Sequence, residues 1–293
     1  MDDVLQLTNG GKMEIKYLGT CAAEGFPAMF CYCSVCEKAR KLGGKNVRTR
    51  SQAIIDGKLL IDFPADTYLH VLQGGLDLRK VEALLITHGH DDHIYPYDVA
   101  YREEKYGHSK ENTKKVPLPV FATKKSGERL KAVIEEKNIS EKDPDALQLK
   151  EIETFKEYNI AGYKVVPLKA DHAPALDPVI YLIEKQGKTI LYAHDTGYFP
   201  EETWEYLENN NIKFDLVSLD CTSVMKDYAV NNHMGLKACC SVKDRLLNKN
   251  ADDQTIFILN HFSHNGGYVY DDLVPVAEKL GFKVSYDGIK FEI

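Results

Sequence analysis

An order of elements that occurs twice along the chain is the feature that most constrains its fold. Each time, two short apolar strands flank a two-residue hairpin turn, Asp56-Gly57 in the first half and Gln186-Gly187 in the second. An acidic residue ends the second strand, and a helix, a further strand and a polar loop follow. The predicted elements are strands 51–55, 58–61 and 81–86 with a helix near 66–73, and strands 179–184, 188–193 and 214–219 with a helix at 200–209. The repeat predicts two related half-domains of mixed α and β structure.

The loop after strand 81–86 carries three histidines and two carboxylates within six residues, His88-Gly89-His90-Asp91-Asp92-His93. A loop that leaves a buried strand is a rigid base for ligands, and imidazole nitrogens and carboxylate oxygens suit zinc, manganese or iron. The alternative is a polar loop in which histidines occur by chance. Four or more ligand-type side chains with short spacers between them favour a metal site.

Three further candidate ligands, His172, Asp195 and His261, lie at or just past the ends of predicted strands. Taken singly, a histidine or aspartate in such a position is more typical of an ordinary loop or turn. Their repeated placement at strand ends favours a role in one common site. His233 is a fourth candidate, because it precedes a predicted amphipathic helix at 236–247. The dipole of that helix favours the neutral form of its imidazole.

A second cluster of ligand-type residues is Cys31-Tyr32-Cys33-Ser34-Val35-Cys36. Three thiols within six residues can surround one soft cation, because short spacers let the backbone fold around it. A closed tetrahedral site needs a fourth ligand from elsewhere in the chain. The alternative is that the three cysteines are small core residues, which is the interpretation we prefer for the other four cysteines.

Composition restricts the classes of partner. The net charge of -7 argues against a general binder of nucleic acid or anionic membranes. Neither a signal peptide nor an apolar run of the ~20 residues that a membrane helix needs is evident, so we expect a cytoplasmic protein. Seven cysteines, an odd number, fit reduced thiols and metal ligands better than disulfides.

No low-complexity linker divides the chain, so we expect a polar N-terminal lead-in at 1–12 and a single domain at 13–293. The segment at about 101–150 carries no obvious chemistry and is either a lid over the site or a surface insertion. A helix is predicted at 97–106, and a hairpin centred on Gly288 is predicted to close the chain.

The sequence resembles the metallo-β-lactamase superfamily, and within it the phosphodiesterases associated with the carbon–phosphorus lyase pathway. The superfamily resemblance rests on the His-x-His-x-Asp-His signature at 88–93, followed in order by His172, Asp195 and His261. The narrower resemblance rests on Gly19-Thr20, the Cys31–Cys36 cluster, His233 and the closing His261-Phe262-Ser263-His264. It implies a four-layer αβ/βα sandwich with its site at one edge.

By this resemblance, one catalytic divalent ion would be held by His88, His90 and His172. The other would be held by Asp92, His93 and His261, and Asp195 would bridge the two ions, each being zinc, manganese or iron. A separate structural zinc would be closed by Cys31, Cys33, Cys36 and His264. Asp92 and His233 are the predicted catalytic residues. Asp62, Asp220 and Thr196 are candidates for orienting the ligands, with turn or capping roles as the alternative.

The resemblance implies a metal-dependent phosphodiesterase that uses a hydroxide held by both metals on small phosphodiesters, with cyclic ribose phosphates ranked first. A membrane or nucleic-acid partner is not expected, and a homodimer is left open. The chain departs from the family after His93, where Ile94-Tyr95-Pro96-Tyr97 replaces the usual Gly-Leu pair. Two alternatives are a nucleolytic, tRNA-processing member of the superfamily and a zinc protein of the pyrroloquinoline quinone biosynthesis type.

Overall fold

A computed structural model describes residues 11–111, 113–226 and 231–293. The predicted lead-in at 1–12 therefore lies mostly outside the described residues. The strands are β1 (Glu14–Gly19), β2 (Gln52–Ile55), β3 (Leu59–Ile61), β4 (Ala83–Leu85), β5 (Leu118–Ala122), β6 (Leu147–Glu151), β7 (Tyr158–Ile160), β8 (Tyr163–Lys169), β9 (Val179–Lys185), β10 (Lys188–Ala193), β11 (Leu216–Asp220), β12 (Ile256–Asn260), β13 (Lys283–Val284) and β14 (Lys290–Glu292). The helices are α1 (Ser34–Leu42), α2 (Thr67–Leu72), α3 (Pro96–Val99), α4 (Lys124–Glu136), α5 (Ile139–Lys142), α6 (Glu201–Asn209), α7 (Leu236–Leu247) and α8 (Tyr270–Lys279).

The strands form two seven-stranded sheets with the same pattern of pairing. The first has the order β14-β1-β2-β3-β4-β5-β6, and the second has the order β7-β8-β9-β10-β11-β12-β13. From the first strand of either order, three antiparallel pairs are followed by three parallel pairs. This correspondence confirms the two related half-domains.

Both predicted hairpins form, at β2–β3 and at β9–β10. Their turn residues have positive φ at both positions, 50° and 68° at Asp56 and Gly57, and 51° and 79° at Gln186 and Gly187. Two residues of positive φ match the right-handed twist of the strands, which is why a glycine at the second position indicates such a turn.

Three apolar clusters separate four layers. The two sheets face each other across one cluster, to which Ile15 and Ile55 contribute from the first sheet and Ile183 from the second. The outer face of the first sheet packs on α4 through Leu130, and that of the second packs on α6 through Trp204 and on α7 and α8. This is the αβ/βα sandwich that the resemblance implies.

Two smaller predictions need correction. The helix predicted at 97–106 is shorter, consisting of α3 and one turn of 3-10 helix at Ala100–Arg102. The Gly288 hairpin is wrong, because β13 pairs with β12 in the second sheet whereas β14 pairs with β1 in the first. Gly288 has a φ of 94° and makes the turn, but the chain crosses between sheets there. Among the described residues, no helix is long and apolar enough to cross a membrane.

Candidate metal centre

The carboxyl ends of the parallel strands meet at one edge of the sandwich, and the candidate ligands lie there. Asp62 and the His88–His93 loop follow β3 and β4, which are parallel neighbours in the first sheet. Asp195 and His261 follow β10 and β12, which both pair in parallel with β11 in the second sheet. The fold therefore brings residues from both half-domains to one place.

Four predicted ligands form a first group, in which one ligand atom of each of His88, His90, His172 and Asp195 lies within 4.8 Å of the others. His90 Nδ1 lies 2.8 Å from His88 Nε2 and 3.2 Å from His172 Nε2. Asp195 Oδ2 lies 3.1 Å from His88 Nε2. Three nitrogens and one oxygen thus point at a common position.

A second group contains Asp92, His93, His261 and again Asp195. His93 Nε2 lies 3.2 Å from Asp195 Oδ2 and 3.4 Å from Asp92 Oδ2. His261 Nε2 lies 3.9 Å from the same Asp195 oxygen. Because Asp195 belongs to both groups, its carboxylate has the position expected of a bridging ligand.

Unpaired buried atoms show that these residues fit metal ions. His93 Nε2 and His261 Nε2 are buried and have no hydrogen-bond partner within residues 11–111, 113–226 and 231–293. Leaving such an atom buried and unpaired costs about 1–3 kcal/mol. A divalent cation would satisfy both nitrogens, and a set of nitrogen and oxygen donors suits zinc, manganese or iron.

The electrostatics of the site favour the metal-binding forms of His88, Asp92 and Asp195. His93 differs, because the carboxylates of Asp92, Asp62 and Asp195 outweigh its burial and raise its pKa well above the ordinary value. Burial lowers the pKa of His88 to about 3, with the neighbouring His93 adding to the effect, so its imidazole is neutral. Burial alone would raise the pKa of Asp195, but the surrounding imidazoles of His261, His233 and His88 outweigh it and lower that pKa well below its usual range. Burial would likewise raise the pKa of Asp92, but the His93 imidazole outweighs burial and lowers it. Both carboxyl groups are therefore ionised.

Partners behind the ligands fix the imidazole tautomers. Asp62 Oδ2 accepts from His93 Nδ1 at 2.7 Å, and the Asn232 carbonyl accepts from His172 Nδ1 at 3.1 Å. His261 Nδ1 lies 2.8 Å from Thr222 Oγ1 and 3.3 Å from Asp220 Oδ2. A proton held on Nδ1 leaves the lone pair of Nε2 free for a metal.

Of the three candidate orienting residues, Asp62 and Asp220 contact ligand imidazoles. Thr196 instead accepts from the Asp171 N–H and donates to the Gly197 carbonyl, which is a turn role. Thr222 was missed by the sequence reasoning. Its position two residues after Asp220, at the end of a strand, was the available signal.

His233 lies beside the shared carboxylate and is 31% exposed to the cavity above it. Its Nδ1 is 3.1 Å from Asp195 Oδ1 and 3.4 Å from Asp220 Oδ2. Burial lowers the pKa of His233, but these two carboxylates outweigh burial and raise it to about 11. These carboxylates favour the protonated imidazole, whereas the helix dipole alone favours the neutral form.

The predicted thiolate site is assembled at the start of α1. One ligand atom of each of Cys31, Cys33, Cys36 and His264 lies within 4.8 Å of the others, and His264 Nδ1 is 3.5 Å from both Cys31 Sγ and Cys33 Sγ. Burial raises the pKa of Cys33, but the backbone N–H of Cys36 and the His264 imidazole outweigh it and lower that pKa to about 6. Three sulfurs and one nitrogen are a donor set that suits tetrahedral zinc.

A cavity of about 420 Å³ opens over the two histidine groups. Its metal side consists of His90, Asp92, His172, Asp195, His233 and His261. Its other wall includes Glu24, Ser223, Lys226, Ser263 and Asn265. The structure thus brings together all seven predicted catalytic ligands and His233, and keeps the four thiolate-site residues apart from them.

A four-layer sandwich with two ligand groups at its edge is characteristic of metal-dependent hydrolases. The sequence model described as "Beta-lactamase superfamily domain" matches residues 61–258, and the chain belongs to this family. Its fold and clusters of histidine and aspartate imply divalent metal ions and make it a metal-dependent hydrolase. A search of curated proteins gives no match.

Solved structures with the same fold span nearly the whole chain. A diphosphatase from the PhnP family is 20% identical with a TM-score of 0.73, covering 97% of this chain and 98% of that one. Zinc-bound PqqB from Methylobacterium extorquens is 17% identical with a TM-score of 0.71, covering 96% and 100%. The short form of human tRNase Z is 13% identical with a TM-score of 0.61, covering 95% and 98%. At these identities the likeness concerns the fold.

Proposed function

We propose that this hydrolase is a phosphodiesterase acting on small phosphodiesters, with cyclic ribose phosphates as the first candidates. The observation that carries the proposal is the arrangement around Asp195. Its carboxylate is shared by two ligand groups on the floor of a small cavity, and His233 stands beside it. Two adjacent cation positions and one protonated imidazole suit attack on a phosphate diester and departure of its alcohol.

Two divalent ions bound by these groups would supply a water of lowered pKa and positive charge against the phosphoryl oxygens. The protein residues set the geometry around them. Asp195 Oδ2 faces His88 Nε2 at 3.1 Å and His93 Nε2 at 3.2 Å, so one carboxylate spans the two groups. In hydrolysis, the water oxygen bonds to phosphorus, one ester P–O bond breaks, and the departing oxygen takes up a proton.

His233 is the proposed source of that proton. Its imidazole is held by Asp195 and Asp220 through Nδ1, and its side chain reaches the cavity. A protonated imidazole supported by carboxylates on one side can act on the leaving group on the other. General acid catalysis of this kind typically contributes ~10²–10⁴ in rate.

The wall opposite the ligands supports a small polar substrate. Ser223 Oγ, Lys226 Nζ and the Asn265 amide line the cavity and make no hydrogen bond or ion pair within the part of the chain that the structure describes. Two close contacts of glycines with Val224, the residue next to Ser223, position these side chains. A Cβ on Gly266 would lie 2.6 Å from Val224 Cγ2, and one on Gly235 would lie 2.7 Å from the Val224 carbonyl. Uncommitted donors of this kind suit hydroxyl and anionic groups on the non-reacting part of the substrate.

The two alternative functions find less support. A nucleolytic enzyme must hold a polyanion, and the chain has a net charge of -7. A protein of the pyrroloquinoline quinone type shares the thiolate loop, but the complete double ligand group favours hydrolysis here.

The test is a substrate screen on metal-free protein reloaded separately with zinc, manganese or iron. The panel contains 2′,3′-cyclic nucleotides, linear dinucleotides and bis-p-nitrophenyl phosphate, with phosphomonoesters, a β-lactam and a thioester for comparison. The variant Asp195→Asn, which alters the shared carboxylate, is the negative control. We expect diester hydrolysis that depends on reloading and is lost in the variant. Turnover confined to a non-phosphate ester would refute the phosphodiesterase proposal.

A further inference from the structure

Three segments meet around Gly89, the residue between two candidate ligands. A Cβ built on Gly89 would lie 3.6 Å from Leu176 Cδ2 and 3.6 Å from Ser126 Cα. Leu176 ends the short 3-10 helix Pro174–Leu176, which directly follows the His172 loop. Ser126 lies in the first turn of α4. The beginning of α4 therefore touches both loops that supply the first ligand group.

Hydroxyl groups at the start of α4 hold the His172 loop. Ser126 Oγ donates to the Leu176 carbonyl at 2.7 Å, and Thr123 Oγ1 donates to the Asp177 carbonyl at 2.9 Å. Thr123 is also the N-cap, because its Oγ1 accepts from the Ser126 N–H. Both side chains are buried, so water does not compete for these hydrogen bonds.

Arg129 holds the other loop. Its Nη1 donates to the Gly89 carbonyl at 3.1 Å, and its guanidinium pairs with Asp91. Gly89 and Asp91 flank His90 on either side. We call these three residues, Thr123, Ser126 and Arg129, the α4 clasp. They bind the two ligand loops from the N-cap and the N-terminal part of α4.

We propose that the α4 clasp sets the spacing of His88, His90 and His172 and thereby the affinity of the protein for the ion that they hold. The residues of the clasp are positioning residues, since they act through the loops and not on the substrate. A metal site tolerates ligand displacements of only about 0.2 Å, so a loosened loop weakens binding. This inference rests on the proposed two-metal site.

The second ligand group has different supports. His93 is held by Asp62, and His261 by Thr222 and Asp220, all of which lie at or just past the ends of strands. The clasp therefore acts most directly on the ion of the first ligand group, although the loop that Arg129 holds also carries Asp92 and His93. It also gives the segment at about 101–150 a role other than that of a lid or a plain insertion, because α4 belongs to it.

The test compares Ser126→Ala and Arg129→Gln with the wild-type protein. Arg129 is 45% exposed, so its variant is expected to fold even if Ser126→Ala does not. The matched control is Thr255→Ala, which removes an equivalent hydroxyl-to-carbonyl hydrogen bond, 2.8 Å long, to Phe214 before β11. Each protein is dialysed against graded free Mn²⁺, and bound ions are counted. Electron paramagnetic resonance distinguishes a coupled pair of Mn²⁺ ions from a single ion.

We expect both clasp variants to lose affinity for one Mn²⁺ ion by roughly tenfold or more, the range typical when ligand supports are removed. The second ion and the thiolate-site zinc should be retained, and the melting temperature of metal-free Arg129→Gln should match that of the wild type. Thr255→Ala should lower the melting temperature and keep both ions. Unchanged Mn²⁺ binding in both variants would overturn the inference, as would equal weakening of both ions. A wild-type protein without a coupled pair would instead contradict the two-metal site itself.

Discussion

Replacing Asp62 by asparagine should disable the second ligand group while leaving the fold intact. Asp62 is fully buried at the end of β3 and accepts three hydrogen bonds. Its Oδ1 receives the Thr87 N–H at 2.8 Å and the Thr87 hydroxyl at 3.0 Å, and its Oδ2 receives His93 Nδ1–H at 2.7 Å. Asparagine preserves the shape and one acceptor oxygen, but it presents an NH₂ group to either Thr87 or His93.

The expected loss of metal affinity in Asp62→Asn follows from these contacts. With the amide oxygen on Thr87, the NH₂ group faces His93 Nδ1, so the imidazole proton moves to Nε2 and blocks the metal lone pair. The lost charge-assisted hydrogen bond is worth about 1.5–3 kcal/mol. Metal affinity should fall about 10–100-fold, as is typical when the partner of a ligand histidine is removed.

The assay is competition with a chromogenic chelator, combined with the melting temperature of metal-free protein. Asp56→Asn is the matched control, because Asp56 accepts hydrogen bonds from Lys185 and Tyr163 at a distant hairpin turn. We expect weaker binding of one ion in Asp62→Asn and none of this loss in Asp56→Asn. Wild-type metal affinity in Asp62→Asn would show that the tautomer argument is wrong.

Further expectations concern the metal content, the thiolate site, the proposed acid and the cavity wall. Elemental analysis of reloaded protein should give three ions per chain, and a single ion after careful reconstitution would exclude the two-metal mechanism. Cys33→Ser should lose one zinc and lower the melting temperature, because a structural zinc contributes folding free energy. The control Cys240→Ser should retain all metal. Full zinc retention in Cys33→Ser would contradict the thiolate site. His233→Ala should slow hydrolysis of 2′,3′-cyclic nucleotides ~10²–10⁴-fold and that of bis-p-nitrophenyl phosphate much less, since p-nitrophenolate leaves without a proton; equal losses would point to transition-state bracing. Lys226→Met should raise KM for cyclic nucleotides roughly tenfold at constant kcat, because one charge-assisted hydrogen bond to the substrate is lost. An unchanged KM would place Lys226 outside the substrate site.

Local patterns were sufficient to predict much of the architecture. Turn sequences such as Asp56-Gly57 act within a few residues, and apolar runs report the strands that follow them. The repeated order of elements therefore led to two related half-domains, whose sheets share one pattern of pairing. The Gly288 prediction failed because a turn residue indicates a reversal of the chain but not the sheet in which each strand pairs.

The candidate site shows the same division between local and long-range information. The sequence alone determined the residue types that could bind metals and their places at strand ends, because donor chemistry and the short spacing from His88 to His93 are local properties. Only the tertiary structure decided that Asp195 faces both ligand groups, that Asp62 and Thr222 hold imidazole tautomers, and that α4 touches two ligand loops. These contacts join residues far apart in the chain, such as Asp62 and His93 or Ser126 and Leu176. Their distances depend on how the two sheets and their helices pack, which a linear pattern does not encode.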